Sequence, residues 1–378
     1  MPWKECSIMS ERLEFVHLAL QEAVNRSELC RRFGISRETG YKWIKRFEEE
    51  GAAGLEDDSR RPHRSPNQTP KEMERLVLKV RREHEAWGGR KVRTLLLREG
   101  YEGVPSASTI TEIFRRKGLL DPVESDKHKP WQRFEREAPN ELWQMDFKGH
   151  FAMRTGRCHP LTVLDDHSRF NVALWACGDE QATTVKEHLA QSFRIYGLPD
   201  CILVDNGSPW GDHEDQPYTF LTVWLLRLGV QVIHSRAYHP QTAGKDERFH
   251  RTLNAEVLQG RFFSDLAHVQ AAFDQWRPIY NCHRPHEGIG MEVPASRYRP
   301  SARPYPERLP PIEYAPSDIV RKVQNGGWVH FRGGTYRLGK AFYGYPVALR
   351  PTETDGLWTV FFLTHPIGLI DERMNTKE

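Results

Sequence analysis

The stretch Trp-Gln-Met-Asp-Phe-Lys-Gly at 143–149 places an acid, Asp146, inside an apolar run that is typical of a β-strand. Two further stretches carry acids in comparable settings: Leu-Val-Asp-Asn-Gly-Ser with Asp205 at a strand end, and Gly-Lys-Asp-Glu-Arg with Glu247 early in a predicted helix. A carboxylate at the end of a buried strand is costly unless something pairs with it. Convergence of the three predicts a divalent cation site with oxygen ligands, suited to Mg²⁺ or Mn²⁺. The chemistry indicated is metal-assisted phosphoryl transfer.

The sequence around these acids predicts a mixed α/β sheet covered by helices. Short apolar runs separated by turns favour an antiparallel meander, and the continuous apolar run at 201–204 is typical of a buried parallel strand. Helical and strand periodicities alternate after the meander. The predicted strands are 142–151, 161–164, 170–176, 201–204 and 230–233, and the predicted helices are 180–196, 218–228, 242–258 and 266–280.

Length and composition indicate several domains and a protein that works away from membranes. A chain of 378 residues exceeds one ordinary domain, and 11 Trp with 18 Phe can build real cores. No apolar stretch is long enough for a membrane span, and no signal-peptide pattern is present, so we expect a soluble, cytoplasmic protein. The six cysteines are scattered, which favours reduced thiols over a zinc site or disulfides.

Residues 10–54 predict a helix-turn-helix unit. Ser27 is expected to cap a short helix, Gly34 to supply the turn, and Ser36 to cap a second helix that begins at residue 37. A generic helical hairpin is the alternative, but the outward side chains near the start of the second helix suit a DNA major groove. The residues predicted to contact DNA there are Arg37, Tyr41, Lys42 and Lys45.

A polar, proline-containing linker follows at 57–68. It has almost no apolar residue and is expected to be extended. Its basic residues Arg60, Arg61 and Arg64 suit a DNA minor groove, although a plain tether explains the composition equally well.

Three short helices are predicted at 69–120, with Thr69 as the cap and Pro70 at the first helical position. Residues 59–98 carry twelve Lys and Arg against four Glu, a local excess that fits a polyanion partner, although a solvated helix face is the alternative. We therefore expect a second DNA-binding domain. Its predicted outward contacts are Arg90, Lys91 and Arg93.

Several motifs in order give a family resemblance. Trp-x-x-Asp at 143–146, Asp-Asn-Gly at 205–207 and His-Pro-Gln-Thr-x-Gly-Lys-x-Glu-Arg at 239–248 are followed by Pro-Ala-Ser-Arg-Tyr at 294–298. The segment 143–298 resembles the integrase catalytic core of the ribonuclease-H-like superfamily. With the helical units in front, about three quarters of the chain resembles a bacterial insertion-sequence DDE transposase.

The resemblance implies a site and a reaction. Asp146, Asp205 and Glu247 would be the catalytic acids and would hold two Mg²⁺ or Mn²⁺ ions, with Asp146 as the shared ligand. Asp246, about 100° from Glu247 on a helix, is expected to be a surface acid. By the same resemblance, Asp165 and Asp166 would be structural turn residues. The remaining predicted DNA contacts are His239, Gln241, Lys245, Arg248 and Arg251, with a structural role as the alternative for His239.

The last segment turns to β structure, with short strands that suggest a small SH3-like barrel.

The expected function is a transposase that binds terminal inverted repeats, cuts the element ends and joins the 3′ ends to target DNA, acting at least as a dimer. The alternatives are a DNA-binding regulator with an inactive core and a ribonuclease-H-like nuclease. The predicted domains are a helix-turn-helix domain at 1–56, a linker at 57–68, a second helical domain at 69–120, a linker at 121–138, the core at 139–300 and the β domain at 312–378.

Overall fold

A computed structural model describes residues 8–22, 24–57, 68–120, 135–211, 218–234 and 244–375. The chain forms two compact units, one spanning Met1–Gln68 and the other Thr69–Glu378. Among the described residues, no helix has the length and apolar character needed to cross a bilayer.

The first unit contains three α-helices, of which the second and third form the predicted helix-turn-helix. Ser36 caps the third helix, since its hydroxyl accepts a bond from the Thr39 amide at 3.1 Å, and Gly34 makes the preceding turn with a positive φ of 66°. The prediction that Ser27 caps the second helix is wrong. The cap is Asn25, whose side chain accepts from the Ser27 amide at 3.1 Å. The helices are α1 (Ile8–Ala19), α2 (Arg26–Arg32) and α3 (Arg37–Glu50).

Three more helices open the second unit and pack around Trp87, which is fully buried. Pro70 stands just before the first of them, one position earlier than predicted, and Thr69 is not its cap. Gly89 lets the second and third helices approach closely, because a Cβ there would lie 2.4 Å from the Ala107 carbonyl oxygen. The helices are α4 (Lys71–Glu83), α5 (Gly89–Arg98) and α6 (Ala107–Arg116).

A six-stranded sheet forms the centre of the second unit. The first four strands are antiparallel neighbours, and β5 and β6 continue the sheet in parallel with β1, which confirms the predicted meander and parallel extension. The order is β2-β3-β1-β5-β6, with β4 beside β3. The strands are β1 (Trp143–Phe147), β2 (Phe151–Ala152), β3 (Arg157–Asp165), β4 (Asn171–Cys177), β5 (Cys201–Val204) and β6 (Gln231–His234).

Helices cover both faces of this sheet because successive strand residues point to opposite sides. Val163 joins an apolar cluster with α7 and α8, whereas its neighbour Leu164 joins a second cluster with α9 and α10. The helices are α7 (Ala182–Tyr196), α8 (Phe220–Arg227), α9 (Gly244–Leu253), α10 (Leu266–Pro278) and α11 (Pro294–Arg297). Single π-helical turns follow α9 at Asn254–Leu258 and α10 at Ile279–His283.

The turn after α10 also contacts the α4–α6 helices. Ile279 packs against their apolar cluster, and the Arg98 guanidinium donates to the His283 carbonyl at 3.4 Å. These helices and the sheet therefore belong to one packed unit.

The C-terminal segment is a β domain, as predicted, built from two pieces. A four-stranded antiparallel sheet has the order β12-β11-β10-β7, and β8 pairs with β9 as a hairpin. Both pieces share a cluster with Val223 and Leu226 of α8, so this domain rests directly on the core. The strands are β7 (Ile319–Lys322), β8 (Trp328–Phe331), β9 (Gly334–Arg337), β10 (Pro346–Pro351), β11 (Leu357–Phe362) and β12 (His365–Asp371).

Candidate active site

Asp146 and Asp205 lie at the same end of two neighbouring parallel strands. Gln144 of β1 pairs with Leu203 of β5; Asp146 is two residues further along β1, and Asp205 directly follows the last residue of β5. Adjacent strands are about 4.8 Å apart. The sheet itself therefore brings the two predicted acids together.

The surroundings of both acids disfavour two negative charges. Burial, followed by the charges of Asp205 and Glu180, raises the pKa of Asp146 to about 7. Partial burial of its carboxylate and then the charge of Glu180 raise the pKa of Asp205. A hydrogen bond that the Gly207 amide donates to this carboxylate at 3.1 Å opposes the shift. A cation between the two carboxylates would relieve this repulsion.

These two carboxylates fit a magnesium site. Mg²⁺ is commonly held by one or two protein carboxylates together with water and substrate phosphate oxygens. Within the described part of the chain, no group of three or more His, Cys, Asp or Glu side chains is assembled around one point. The structure thus supplies a pair of acids, Asp146 and Asp205, at this end of the sheet.

Helix α9 carries two adjacent acids that face different ways. Asp246 is only 4 % exposed, and its Oδ1 has no hydrogen-bond partner among the described residues. Burial, and then the charges of Asp146 and Asp166, raise its pKa well above the usual range. Glu247 is exposed. The prediction that Asp246 is a surface acid is therefore wrong.

The reason lies in the apolar stripe of α9. Asp246, Phe249 and Leu253 stand at helical spacing on the buried side, and the large buried side chains fix the rotation of the helix. Glu247 is one residue on, about 100° around the helix, and so faces solvent together with Arg248 and Arg251.

His250 supports the strand that carries Asp146. Its Nε2 lies 2.8 Å from the Thr162 hydroxyl, which in turn donates to the Asp146 carbonyl oxygen at 3.0 Å. Burial, then the charge of Lys148, lowers the pKa of His250 to about 4, so the ring is neutral at pH 7. This role was not predicted; the available signal was the position of His250 four residues after Asp246 on the buried face.

Glu180 was also missed as a residue of this site. Its Oε1 lies 2.8 Å from Nδ1 of His159, and its charge acts on both Asp146 and Asp205. It follows β4 directly and precedes α7, where the sequence offers no motif.

Asp165 and Asp166 are structural, in agreement with the prediction. Asp165 accepts bonds from the Asn140 and Ser168 amides at 2.7 and 2.8 Å. Asp166 accepts from the Gln144 side chain at 2.7 Å and from the ammonium of Lys245. Lys245 is therefore engaged by a buried carboxylate, and its predicted contact with DNA would require it to leave that partner.

The predicted DNA-contacting residues outside α9 fall into three groups. The first group lies on α3 of the first unit, where the side chains of all four predicted residues are exposed. On α5, Arg90 is exposed and lies 3.8 Å from Glu287, whereas Lys91 and Arg93 are half-buried rather than outside. Burial and the nearby Arg284 lower the pKa of Lys91 to about 8. The residues Arg60, Arg61, Arg64, His239 and Gln241 lie outside the described residues.

Family models match most of the chain. Residues 11–63 match a helix-turn-helix domain, and 39–114 match a homeodomain-like domain. Two integrase core models match 136–240 and 228–294, which together include both sheet acids and α9. The C-terminal domain of the IS481 family transposases matches 318–378.

Curated relatives agree with these matches. The chain is 26 % identical to the insertion element IS407 uncharacterized 31.7 kDa protein of Burkholderia multivorans over 295 residues, which covers 75 % of this chain and 96 % of that protein. It is 25 % identical to the transposase for transposon Tn552 of Staphylococcus aureus over 377 residues, covering 87 % of this chain and 76 % of that transposase.

Among solved structures, the HTLV-2 integrase catalytic core domain in complex with magnesium aligns with a TM-score of 0.33 and 15 % identity, covering 43 % of this chain and 99 % of that one. The helix-turn-helix matches, the integrase core and the C-terminal domain occur here in one chain and in that order. The chain thus has the domain order of an insertion-element transposase: helix-turn-helix domains, an integrase core domain and a C-terminal domain that matches the IS481 family transposases.

Proposed function

We propose that this protein is a DDE transposase that binds the terminal inverted repeats of its element, cuts the DNA at the element ends and transfers the 3′ ends into target DNA. The observation that carries the proposal is that Asp146 on β1 and Asp205, directly after the parallel neighbour β5, lie at the same end of the sheet, inside a match to the integrase core. Two acids forced together at a solvent-accessible sheet edge are suited to metal-assisted phosphoryl transfer.

Asp146, Asp205 and Glu247 would hold two Mg²⁺ or Mn²⁺ ions. Bound there, the ions would activate the attacking oxygen and stabilise the charge that develops on the leaving oxygen. The chain contributes position: the β1–β5 register fixes the two aspartates, and the Thr162 hydroxyl, backed by His250, fixes the Asp146 backbone. Glu247 lies on the exposed face of α9, where DNA can approach together with ions.

The first helical unit is the proposed reader of the element ends. Arg37, Tyr41, Lys42 and Lys45 are exposed along one stretch of a capped α3, as a major-groove helix requires. In the second helical unit, α6 has the more open surface. Its Ser108, Thr109, Arg115 and Arg116 are exposed, whereas Lys91 on α5 is largely enclosed.

Joining two element ends requires two sets of catalytic acids, so we propose that the active complex contains at least two copies of the chain on double-stranded DNA. We place this complex at the bacterial nucleoid, in the cytoplasm, because its proposed substrate is chromosomal DNA.

The test is a reaction with DNA that carries the element's own ends. Purified protein is incubated with a plasmid bearing the ends, with Mg²⁺, with Mn²⁺ or with EDTA, and cleaved and joined products are sequenced. We expect cuts at the element ends and joined 3′ ends with either metal and none with EDTA. Binding to the ends without any metal-dependent cut would instead support the alternative of a regulator with an inactive core. Cutting without regard to the ends would support a nuclease.

A further inference from the structure

Two loops of the core are tied together beside α10. The amides of Arg154 and Thr155, in the turn between β2 and β3, donate to the carbonyl oxygens of Phe263 and Ser264 at 2.9 and 3.1 Å. The Thr155 hydroxyl donates to the same Ser264 oxygen at 2.8 Å. We call residues 153–157 and 260–264 together the double loop.

The double loop exposes the aromatic ring of Phe262 to solvent. Phe263 is 6 % exposed and packs on Phe151 with ring centroids 5.8 Å apart, whereas its neighbour Phe262 is 96 % exposed. Gly260, with a φ of 73°, turns the chain into this segment. Because the backbone is bonded on one side and Phe263 is anchored below, Phe262 has no inward position to fold into.

The same two loops carry three arginines. Arg154, Arg157 and Arg261 are all exposed, and no salt bridge joins any of them to another described residue. Asp265 follows the second loop, and its carboxylate already accepts hydrogen bonds from the His268 amide at 2.9 Å and the Ser264 hydroxyl at 2.8 Å. The double loop therefore combines three exposed positive charges with an exposed phenyl ring.

Single exposed apolar residues are common on protein surfaces and require no explanation by themselves. The double loop differs in combining a hydrogen-bonded backbone, the near-complete exposure of a large ring and three exposed arginines. A surface of this kind is suited to bind a polyanion that has flat apolar faces, and DNA is such a ligand. Its phosphates attract arginine, and aromatic side chains stack on its bases or wedge between base steps.

The position of the double loop relative to the acids is set by strand register. Asp146 pairs with Thr162 of β3, and Arg157 begins that strand five residues away. At about 3.4 Å for each strand residue, this places the double loop roughly 17 Å from the level of Asp146 along the strand. That distance corresponds to about five base pairs of duplex.

We propose that the double loop is a DNA-binding site, in which Phe262 stacks on or between bases and Arg154, Arg157 and Arg261 contact phosphates. The inference rests on the proposed function, since it assigns the site to the DNA that occupies the catalytic edge. A second copy of this chain is the competing occupant.

The first experiment measures base unstacking by the full-length protein in EDTA. Forty-base-pair duplexes carry 2-aminopurine at successive positions, and its fluorescence rises when the base is unstacked. We expect a rise at one or two positions with the wild type and with Phe220→Ala, an exposed phenylalanine at the start of α8 that serves as the control. Phe262→Ala should abolish the rise and weaken binding about fivefold or more. An unchanged signal in Phe262→Ala would overturn the proposal.

The second experiment measures the salt dependence of binding. Replacing Arg154, Arg157 and Arg261 together with Gln should reduce the slope of log K against log salt by about 2.7, since each phosphate contact contributes about 0.9. An unchanged slope would count against the phosphate contacts. Melting temperatures equal to the wild type confirm that both variants fold.

Three combinations of results distinguish failure of the double loop proposal from failure of the proposed function. If Phe262→Ala lowers the mass of the DNA-free protein by light scattering and leaves the 2-aminopurine signal intact, the double loop binds a second copy and the DNA proposal is wrong. If the protein never cuts the element ends but the signal still depends on Phe262, the proposed function fails and the DNA site stands. If the ends are cut while Phe262→Ala behaves as wild type in both assays, the double loop proposal alone fails.

Discussion

The sheet edge and helix α9 both supply acids to the candidate site, but they position them by different means. On the sheet, the parallel pairing of β1 and β5 brings Asp146, within β1, and Asp205, directly after β5, to the same end of adjacent strands. On α9, two adjacent acids diverge by about 100°, and the buried stripe decides that Asp246 points inward and Glu247 outward. A catalytic pair built into a sheet is thus fixed by topology, whereas the third acid depends on the rotation of one helix.

The largest effect is expected at the sheet edge. Asp146→Asn and Asp205→Asn should each reduce cleavage and joining by on the order of a thousandfold or more, because each change removes a charge that holds the ions. Gel-shift binding to the element ends should remain near wild type. Glu187→Gln, an exposed acid on α7, is the matched control and should retain activity. Near-normal cleavage by either asparagine variant would show that the sheet pair is not the catalytic pair.

The next effect tests the two acids of α9 against each other. Glu247→Gln should reduce cleavage by about a hundredfold or more, since it removes a proposed ligand from the open face. Asp246→Asn should have the smaller effect, a loss of about tenfold or less, because its buried carboxyl is not one of the proposed ligands. Cleavage rates at saturating Mg²⁺ decide between them. The reverse pattern would make Asp246 the third acid and Glu247 a surface residue.

A smaller effect is expected on the free energy of unfolding, where Asp246 and Glu247 of α9 should again differ. Asp246 is a buried acid whose Oδ1 has no bond among the described residues, and such a group costs about 1–3 kcal/mol. Asp246→Val should therefore raise the free energy of unfolding by an amount in that range, measured by urea denaturation. Glu247→Val, on the exposed face, is the control and should change it little. Destabilisation by Asp246→Val would mean that the carboxyl has a favourable partner in the folded protein.

The smallest effect concerns pH. The folded pKa of Asp146 is raised to about 7, so between its unfolded value near 4 and pH 7 the metal-free folded state binds more protons than the unfolded state. Stability from this group is therefore fully present below about pH 4, falls as pH rises to 7, and is constant above that. Metal-free wild type should lose more melting temperature between pH 5 and pH 8 than Asp146→Asn. Equal losses in the two proteins would contradict the raised pKa.

Much of the fold follows from local patterns. The four apolar residues of β5 were bounded correctly because strands buried on both faces have no polar interruption, and Ser36 was identified as a cap because it precedes a clear amphipathic helix. The cap of α2 was misplaced because Asn25 and Ser27 are both good caps only two residues apart. Local sequence cannot decide between two such neighbours.

The errors at the site have a different origin. The surface prediction for Asp246 rests on its position about 100° from Glu247 on the helix, but its spacing from Phe249 and Leu253 indicates the buried stripe. Lys91 was assigned to an outer face, but it is enclosed by Glu256, Arg284 and Glu287, which follow it by more than 160 positions in the chain. No local pattern near residue 91 contains that information.

The shared position of α8 has a genetic consequence. One side of this helix is part of the core, while Val223 and Leu226 are covered by the C-terminal sheets. A copy of the gene with a stop codon before residue 318 would encode a chain in which those two residues meet water. Such truncated copies are expected to be degraded or to aggregate, rather than persist as soluble competitors for the element's ends.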